Sequence, residues 1–364
     1  MRFSLTEDDE MIVASIGELC AKSVAPHASQ WDDDGALPPA ILTEVAGLGL
    51  AGMSASEAVG GVALSAVGRA AALQALASGD AALALLLAAH DGLAAAHVAR
   101  GGTAAQREAH LAAWAAGERF AAWAEPAETL QIDADGDVVR LAGHTGPTVA
   151  AGIAGHWLVH APADGGVRSV LVPADTAGAS ATPVDRLGAR AAATAVLHFD
   201  GVQLPAASLV GAVDDGLVDA LRAEHWVDLA AIATGVGRAA LQAATAYARE
   251  REQFGQPIAN FQAIQWMLAN AATELDAAAL LTGKAAWHIA GGGLDVAAAA
   301  RAKTHATEAA QRAASDALQI HGGYGYTREF PVERHLRAAK TLAVAGGTNR
   351  TTRAAAADPI AGAR

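Results

Sequence analysis

The stretch REREQFGQPIANFQAIQWMLAN, residues 249–270, and the stretch QIHGGYGYTREFPVERHLRAAK, residues 319–340, decide the fold of this 364-residue chain. In the first stretch, Arg251 lies in the last turn of a predicted helix, and Phe254 and Gly255 end that helix. This order places a fixed cation beside a tight backbone corner, where an anion fits. Helix capping alone also explains such an arginine, because a cation is favoured at a helix C-terminus.

The second stretch combines a helix end with a pair of glycines. Gln319 lies at the end of a predicted helix, and Gly322 and Gly323 lack the side chains that would keep a ligand from the backbone. A glycine pair after a helix is also an ordinary C-cap. The two stretches together, in this order, therefore indicate a site for a phosphate-bearing cofactor more strongly than either one alone.

The sequence has three regions with different patterns. Apolar residues at helical spacing over residues 6–28, and Ala- and Leu-rich stretches over about 39–118, predict a first helical region. Short β-prone runs between about 119 and 212, one of them after an Asp-Gly turn, predict a small β region. Helical patterns return over about 218–252 and 294–320. We therefore expect helices, then strands, then helices.

The two opening stretches resemble signature segments of the acyl-CoA dehydrogenases, flavoproteins that desaturate acyl-CoA thioesters between the α and β carbons. The resemblance covers nearly the whole chain: SVAPHASQWDDDGALPPAILTEVAGLGLAGM is similar to the N-terminal helices of that family, FAAWAEP to the start of its β domain, and LGARAAATAVLHFDGVQLPAASLVG to the end of that domain. It implies an α+β fold with an N-terminal helical domain at 1–118, a small β-barrel-like domain at 119–212 and a C-terminal helical bundle at 213–364.

The resemblance also implies FAD, bound across a subunit interface in a homo- or hetero-oligomer, either a dimer or a tetramer. Five positions match the family's contacts with the ADP half of a neighbour's cofactor: Arg251, Phe254, Gln319, Gly322 and Gly323. Thr348, which follows two glycines, matches the threonine on the flavin side of the cofactor.

Two segments near the flavin depart from the family pattern. After Glu-Pro the family usually continues with a Gly-rich turn, whereas this chain has AETLQI from Ala127. Pro147 stands where the family commonly places a tryptophan against the flavin, and Val149 stands where it has a threonine or serine. We therefore expect altered hydrogen bonding to the isoalloxazine ring.

The segment AAKTLAVAGGTNR, residues 338–350, matches the family's final motif but lacks its acid. The residue before Gly-Thr is the catalytic glutamate in many relatives, and here it is Gly346. Some branches carry the glutamate on a long helix instead, and the corresponding count back from Phe254 gives His225, with Glu224 beside it. One helical residue is about 100° of rotation, so the two cannot face the flavin equally. Both remain candidate bases; the alternative is that RAEH is a solvated helix start.

Composition argues against several partners. The formal net charge of −13 disfavours binding to a nucleic-acid backbone, which needs clustered Lys and Arg. The 52% hydrophobic fraction comes largely from Ala in runs that charged residues interrupt, so we expect no transmembrane span. The acidic first residues predict no secretory signal. The single cysteine, Cys20, cannot form an internal disulfide, and a cytoplasmic location is expected.

No metal site is expected from the histidines, because they lack a tight ligand spacing with a carboxylate partner. The histidines considered are His90, His97, His110, His144, His156 and His160. The acidic stretch WDDDG at 31–35 is expected to be an exposed turn.

Three functions follow from these features. The first is an FAD-dependent dehydrogenase that oxidises an acyl-CoA thioester and passes electrons to an electron-transfer flavoprotein or a similar acceptor. The second is a non-catalytic subunit of a heteromeric acyl-CoA dehydrogenase, such as those used on steroid side chains, which gives ADP-binding residues to a partner that supplies the base. The third is a biosynthetic relative that acts on a carrier-protein thioester, since fold alone does not settle function.

Overall fold

The chain forms a helical part, a part with two small β-sheets, and a second helical part. The computed structural model describes residues 4–213 and 216–362. The helices of the first part are α1 (Glu7–Leu19), α2 (Ala28–Asp34), α3 (Pro39–Gly47), α4 (Ala66–Gly79), α5 (Ala81–Ala89), α6 (Ala96–Gly101) and α7 (Ala104–Ala115). Those of the last part are α8 (Leu217–Glu250), α9 (Gln262–Ala290), α10 (Val296–His321), α11 (Val332–Leu342) and α12 (Asn349–Ala361). The predicted α+β fold class is confirmed.

The strands between the helical parts form two sheets. They are β1 (Ala121–Trp123), β2 (Leu130–Asp135), β3 (Val138–Thr148), β4 (His156–Ala163), β5 (Gly166–Pro173), β6 (Ala179–Pro183) and β7 (Ala195–Pro205). One sheet has the order β1-β4-β5 and the other β2-β3-β7-β6. Strands β1 and β4 are parallel, and the other neighbours in these two sheets are antiparallel. A short hairpin follows α8. Its two strands, β8 (Glu252–Gln253) and β9 (Gln256–Pro257), have two residues each.

The first helix begins where the sequence predicts it and ends earlier. The Thr6 hydroxyl accepts a hydrogen bond from the Asp9 N–H, and the Asp9 carboxylate accepts one from the Thr6 N–H, which completes a capping box. The continuous helix predicted over residues 6–28 is wrong, because α1 ends at Leu19 and a π-helical turn, Cys20–Val24, follows it. Burial raises the pKa of the Cys20 thiol to about 11, so Cys20 is a buried, unreactive side chain.

Helix α8 is the central element of the fold. Every residue from His225 to Gly237 is buried, and the helix packs against α4, α9 and α10. Two glycines allow this close approach: a Cβ at Gly235 would lie 2.2 Å from the Gln74 carbonyl oxygen, and one at Gly237 would lie 2.4 Å from Leu275 Cδ2. The small residues of the sequence therefore let helices pack tightly around the segment that carries Glu224 and His225.

The segment Ala81–Gly101 has the length and mean hydropathy, 1.5 over its most apolar window, of a membrane-spanning helix. In the structure it comprises α5, a π-helical turn (His90–Ala95) and α6, and 94% of that window is buried inside the protein. Burial in a protein core accounts for its apolar composition.

The sequence predicts an exposed turn for the acidic stretch at residues 31–35, and this prediction is wrong. The stretch lies in α2, where Trp31 and Asp32 are only 6% and 5% exposed. The Asp32 carboxylate forms an ion pair with Arg337 on α11 at 2.7 Å. A partner more than 300 positions away in sequence overrides the local preference of acidic residues for solvent.

Replacing Asp80 with Asn should stabilise the protein near neutral pH. The Asp80 carboxylate caps α5 by accepting the Leu83 N–H at 2.8 Å, and burial raises the pKa of Asp80 to about 6. A folded-state pKa above the unfolded value means that stability falls as the pH rises from about 4 to 6. Asparagine keeps a capping oxygen without the charge. We expect a gain of about 1–3 kcal/mol at pH 7 and none at pH 4, measured by urea denaturation. Equal effects at both pH values would contradict a charge-based cause.

Candidate active site

A cavity of about 380 Å³ lies where the start of α8 meets α4, α6 and the π-helical turn between α5 and α6. Most of its wall is made of Ala, Leu and Val side chains. Its polar lining includes Ser54, Arg69, Asp91, Arg100 and Glu224. A small cavity with a mostly apolar wall and a few converging polar groups is typical of a ligand pocket.

The structure separates the two candidate bases, Glu224 and His225. Glu224 lines the cavity, and its two carboxylate oxygens accept hydrogen bonds from Arg100 Nη1 at 2.8 and 3.0 Å. His225 is 6% exposed, is not part of the cavity wall, and places Nδ1 3.4 Å from an Asp228 carboxylate oxygen. The solvated helix start considered from the sequence is wrong, since the Glu224 side chain is only 17% exposed and His225 is buried.

Gly346 lies on a loop that packs against the same turn of α8. Its φ is +58°, and its carbonyl oxygen accepts a hydrogen bond from Trp226 Nε1 at 2.7 Å. A Cβ at Gly346 would lie 2.7 Å from Leu229 Cδ1 and 3.5 Å from His225 Cδ2. The position expected for the family's glutamate is thus next to the α8 segment that carries Glu224, but its backbone conformation disfavours any side chain.

Lys303 on α10 holds this loop from inside the protein. It is fully buried, and its Nζ donates hydrogen bonds to the carbonyl oxygens of Ala343 and Gly347. Burial lowers the pKa of Lys303 to about 8. These hydrogen bonds from Lys303 therefore fix the backbone of the loop that contains Gly346 and Thr348.

The segments that depart from the family pattern lie after β1 and around the end of β3. Glu125 forms an ion pair with Arg222 Nε at 2.8 Å; burial raises the pKa of Glu125, and Arg222 opposes that rise. The pairing of β3 with β7 is irregular between His144 and Pro147. Thr148, the hydroxyl residue next to Val149, donates its hydroxyl to the Gly146 carbonyl at 3.0 Å.

A second, more open groove of about 510 Å³ lies at the C-terminal ends of α8 and α10. Arg251, Gly322 and Gly323 all line it, so the structure brings these three predicted residues together. Gly322 has φ 58° and ψ −132°, and no heavy atom lies within 4 Å of a Cβ built on either glycine. Within the described residues, the Arg251 guanidinium has neither a hydrogen bond nor an ion pair.

Three other predicted cofactor residues lie outside this groove. Phe254 is 92% exposed with φ +54°, and Gln319 is exposed near the end of α10. Thr348 is the N-cap of α12, on the loop beside α8. The sequence predicts Arg251 in the last turn of the helix, and this is wrong. Arg251 follows the last turn of α8 and has extended backbone (φ −73°, ψ 121°). The preference for a cation in the last helical turn therefore does not explain the position of Arg251.

The sequence reading missed a buried charged cluster in the cavity wall. Arg69 Nη2 lies 2.8 Å from Asp228 Oδ1, and Arg69 Nη1 lies 3.9 Å from Asp91 Oδ2. All three residues are at most 7% exposed. The available signal was a single charged residue within each of three apolar helical stretches, VGRAA, AAHDGLA and HWVDLA. Within residues 4–213 and 216–362, no group of three or more His, Cys, Asp or Glu side chains is placed to hold a metal ion.

Comparison with known proteins places this geometry in a family. Residues 6–118 match the model of the acyl-CoA dehydrogenase N-terminal domain, and residues 225–360 match that of the acyl-CoA dehydrogenase C-terminal domain. The chain belongs to the acyl-CoA dehydrogenase family. The predictions of the family, the fold and an oxidoreductase of this class are confirmed.

Several acyl-CoA dehydrogenases match along most of their length. A probable acyl-CoA dehydrogenase of Bacillus subtilis is 34% identical, with 97% of this chain and 98% of the relative covered. The mitochondrial short-chain specific acyl-CoA dehydrogenase of Bos taurus is 31% identical, with 96% and 89% covered. The solved structure of butyryl-CoA dehydrogenase from Megasphaera elsdenii is 28% identical, with 99% of this chain and 100% of that chain covered and a TM-score of 0.94.

Proposed function

We propose that this acyl-CoA dehydrogenase family member oxidises an acyl-CoA thioester between its α and β carbons, with Glu224 as the base. The observation that carries the proposal is that Glu224 presents a carboxylate to the cavity, whereas His225 is not part of the cavity wall and Gly346 has no side chain. FAD, when bound, accepts a hydride from the β carbon. The α-proton moves to a Glu224 oxygen, and the electron pair of that C–H bond forms the new double bond.

The cavity residues fit this role for Glu224. Arg100 donates hydrogen bonds to both carboxylate oxygens, which orients the base. The Ala-rich part of the wall offers apolar surface to the acyl chain. Arg100, the ion-pair partner of Glu224, lies at the protein surface, where its side chain is 43% exposed.

FAD fits the groove at the ends of α8 and α10. The Arg251 guanidinium is free to bind a phosphate oxygen, and the unobstructed backbone at Gly322 and Gly323 allows close approach of a diphosphate. Phe254 and Gln319 extend this surface on the outside of the chain. We place the ADP half of a neighbouring subunit's FAD here and the flavin of the chain's own FAD near Thr348.

This arrangement needs a second subunit, because the proposed ADP surface faces outward. We expect a dimer or tetramer, and symmetric pairing is the common solution. Electrons would then leave to an electron-transfer flavoprotein or similar acceptor. One related chain, 30% identical with a TM-score of 0.95, comes from a structure described as an electron transferring flavoprotein of Acidaminococcus fermentans. A cytoplasmic location is consistent with the buried, unpaired Cys20.

A second function, that of a non-catalytic subunit in a heteromeric assembly, is favoured by the altered flavin side. Pro147, Val149 and the AETL segment replace the family's flavin contacts, and the nearby Thr148 hydroxyl is bonded to the backbone. In such an assembly this chain supplies the Arg251 surface and a homologue supplies the base. Steroid side-chain thioesters are one substrate class for such assemblies.

The two functions differ in the behaviour of the chain expressed alone. If the chain is the catalyst, the purified protein shows a flavin absorbance spectrum that bleaches without oxygen when a suitable acyl-CoA is added. A panel of short, long and steroid-like CoA thioesters covers the substrate range. Bleaching that begins only after co-expression with a glutamate-bearing homologue would support the subunit role instead.

Replacing Arg251 with Ala should weaken FAD retention by about 1.5–3 kcal/mol, which is the range for a hydrogen bond to a charged group. Flavin stoichiometry after gel filtration measures this effect. Arg249→Ala is the matched control, because Arg249 lies in the last turn of α8 but does not line the groove. If both variants melt slightly lower and keep all their flavin, Arg251 is only a helix cap.

A further inference from the structure

The charged cluster of Arg69, Asp91 and Asp228 forms part of the cavity that holds Glu224, and the proposed reaction does not use it. Arg69 and Asp91 both line the cavity, and Asp228 lies behind Arg69. Ser54 joins the two lining residues: its hydroxyl accepts a hydrogen bond from Arg69 Nη1 at 2.9 Å and donates one to Asp91 Oδ2 at 2.6 Å. Burying charged and polar groups costs free energy, so such a wall would be unfavourable in a cavity that binds only a hydrocarbon chain.

The surrounding backbone is shaped to hold this cluster. Asp91 lies on the π-helical turn between α5 and α6, and turns of this kind are frequent at functional sites. A Cβ at Gly92 would lie 2.8 Å from an Asp228 oxygen and 3.1 Å from Arg69 Nη1. A side chain at this position would crowd the Asp228 carboxylate and the Arg69 guanidinium.

Arg69 has N–H groups that make no hydrogen bond within the cluster, and the Asp91 carboxylate can accept further hydrogen bonds. Arg69 carries five N–H groups, of which Ser54 and Asp228 take one each, and its Nε has no partner although it is buried. Arg69 Nη1 and the Asp91 carboxylate are 3.9 Å apart, too far for a direct hydrogen bond. Among residues 4–213 and 216–362, only the N–H and the hydroxyl of Ser54 donate hydrogen bonds to the Asp91 oxygens.

We propose that this cavity takes a thioester whose acyl group carries a hydroxyl group, and that Arg69 and Asp91 bind that hydroxyl. This inference rests on the proposed function. A hydroxyl oxygen accepts from the second N–H of Arg69 Nη1 while its hydrogen is donated to the Asp91 carboxylate. The hydroxyl is the small neutral group that matches one donor and one acceptor side by side.

The charges of the cavity disfavour the two ionic alternatives. A carboxylate on the acyl chain would join Asp91, Asp228 and Glu224, three acidic groups that already outnumber the guanidinium groups of Arg69 and Arg100. An ammonium group would place a second cation against Arg69 and could accept none of its N–H groups. A plain alkyl chain would cover Arg69 and Asp91 without bonding to them, which weakens binding.

Binding of CoA thioethers tests the inference without relying on catalysis. These ligands lack the thioester carbonyl and cannot be oxidised at the α and β carbons in the same way. S-alkyl-CoA ligands of four to six carbons are compared with their terminal hydroxy, amino and carboxy counterparts by isothermal titration calorimetry on the FAD-loaded protein. We expect the hydroxyalkyl ligand to bind about 5- to 100-fold more tightly than the alkyl ligand at one or more chain lengths.

Two variants and one control locate the preference. In Arg69→Met/Asp228→Met the ratio of hydroxyalkyl to alkyl affinity falls to about one, because the donor is gone. Asp91→Asn keeps the shape, so the ratio falls at least about threefold while alkyl affinity is kept. Ser56→Ala is the matched control: Ser56 lines the same cavity and, among the described residues, has no hydrogen bond to Arg69, Asp91 or Asp228, so the ratio stays that of the unsubstituted protein.

The outcomes separate this inference from the proposed function. Alkyl thioethers that bind while hydroxyalkyl ligands show no preference at any chain length overturn the inference and leave the proposed function standing. Tighter binding of the amino or carboxy ligand also overturns it. If no CoA thioether binds at all, the CoA substrate of the proposed function is wrong and the inference falls with it.

Discussion

Glu224→Gln is expected to lower the rate of flavin reduction by an acyl-CoA about 10²- to 10⁴-fold, the range for loss of a positioned general base. Glutamine keeps the length of the side chain and an oxygen that can accept from Arg100, so the cavity keeps its shape. It cannot take up the α-proton. Anaerobic stopped-flow measurement of the flavin absorbance gives the rate, and calorimetry with an alkyl thioether shows that substrate still binds.

His225→Ala is the discriminating control, because His225 is the neighbour that sequence counting could not separate from Glu224. The His225 ring is directed toward Asp228 and not into the cavity, so we expect less than a tenfold change in the reduction rate. A Glu224→Gln protein that still bleaches rapidly, together with an inactive His225→Ala protein, would reverse the assignment of the base.

Adding a glutamate at the usual family position should not restore the Glu224→Gln variant. Gly346 has φ +58°, and its Cβ would meet Leu229 Cδ1 at 2.7 Å, so Gly346→Glu strains the loop. Rescue by Gly346→Glu would show that the loop rearranges easily and that the two positions are interchangeable in this chain.

The order of helices and strands could be predicted from the sequence because it depends on local patterns. The helix predicted over about 218–252 is α8, and the one predicted over about 294–320 is α10. Their caps and their Ala-rich spacing depend on residues within a few positions. The break at Cys20–Val24 was missed, because a π-helical turn keeps helical spacing on both sides and leaves no composition signal.

The candidate site could be predicted only in part, because side-chain direction and distant partners decide it. Sequence counting led to Glu224 and His225, but only the packing of α8 shows which one faces the cavity. Arg69 and Asp228 are 159 positions apart and meet through tertiary packing. A lone charged residue in an apolar helix indicates that a partner exists without indicating which residue it is.

Arg69→Met is expected to destabilise the protein by about 3–5 kcal/mol, the range for removing one partner of a buried ion pair. Asp91 and Asp228 are each 1% exposed and would lose the only cation described beside them. Methionine fills most of the space, so lost packing contributes little. Urea denaturation at neutral pH measures the loss. It should shrink at low pH, because unpaired buried carboxylates take up protons in the folded state.

The double variant Arg69→Met/Asp228→Met decides whether charge is the cause. It removes the cation together with its nearest carboxylate, and replacing a buried ion pair with apolar residues is often neutral or stabilising. Asp91 keeps its hydrogen bonds from Ser54 in that variant. We therefore expect a loss of less than about 2 kcal/mol, well below that of Arg69→Met. A double variant as unstable as Arg69→Met would show that Arg69 acts through packing alone. A recovered double variant would show that Arg69 stabilises the folded protein by compensating the buried charge of Asp228.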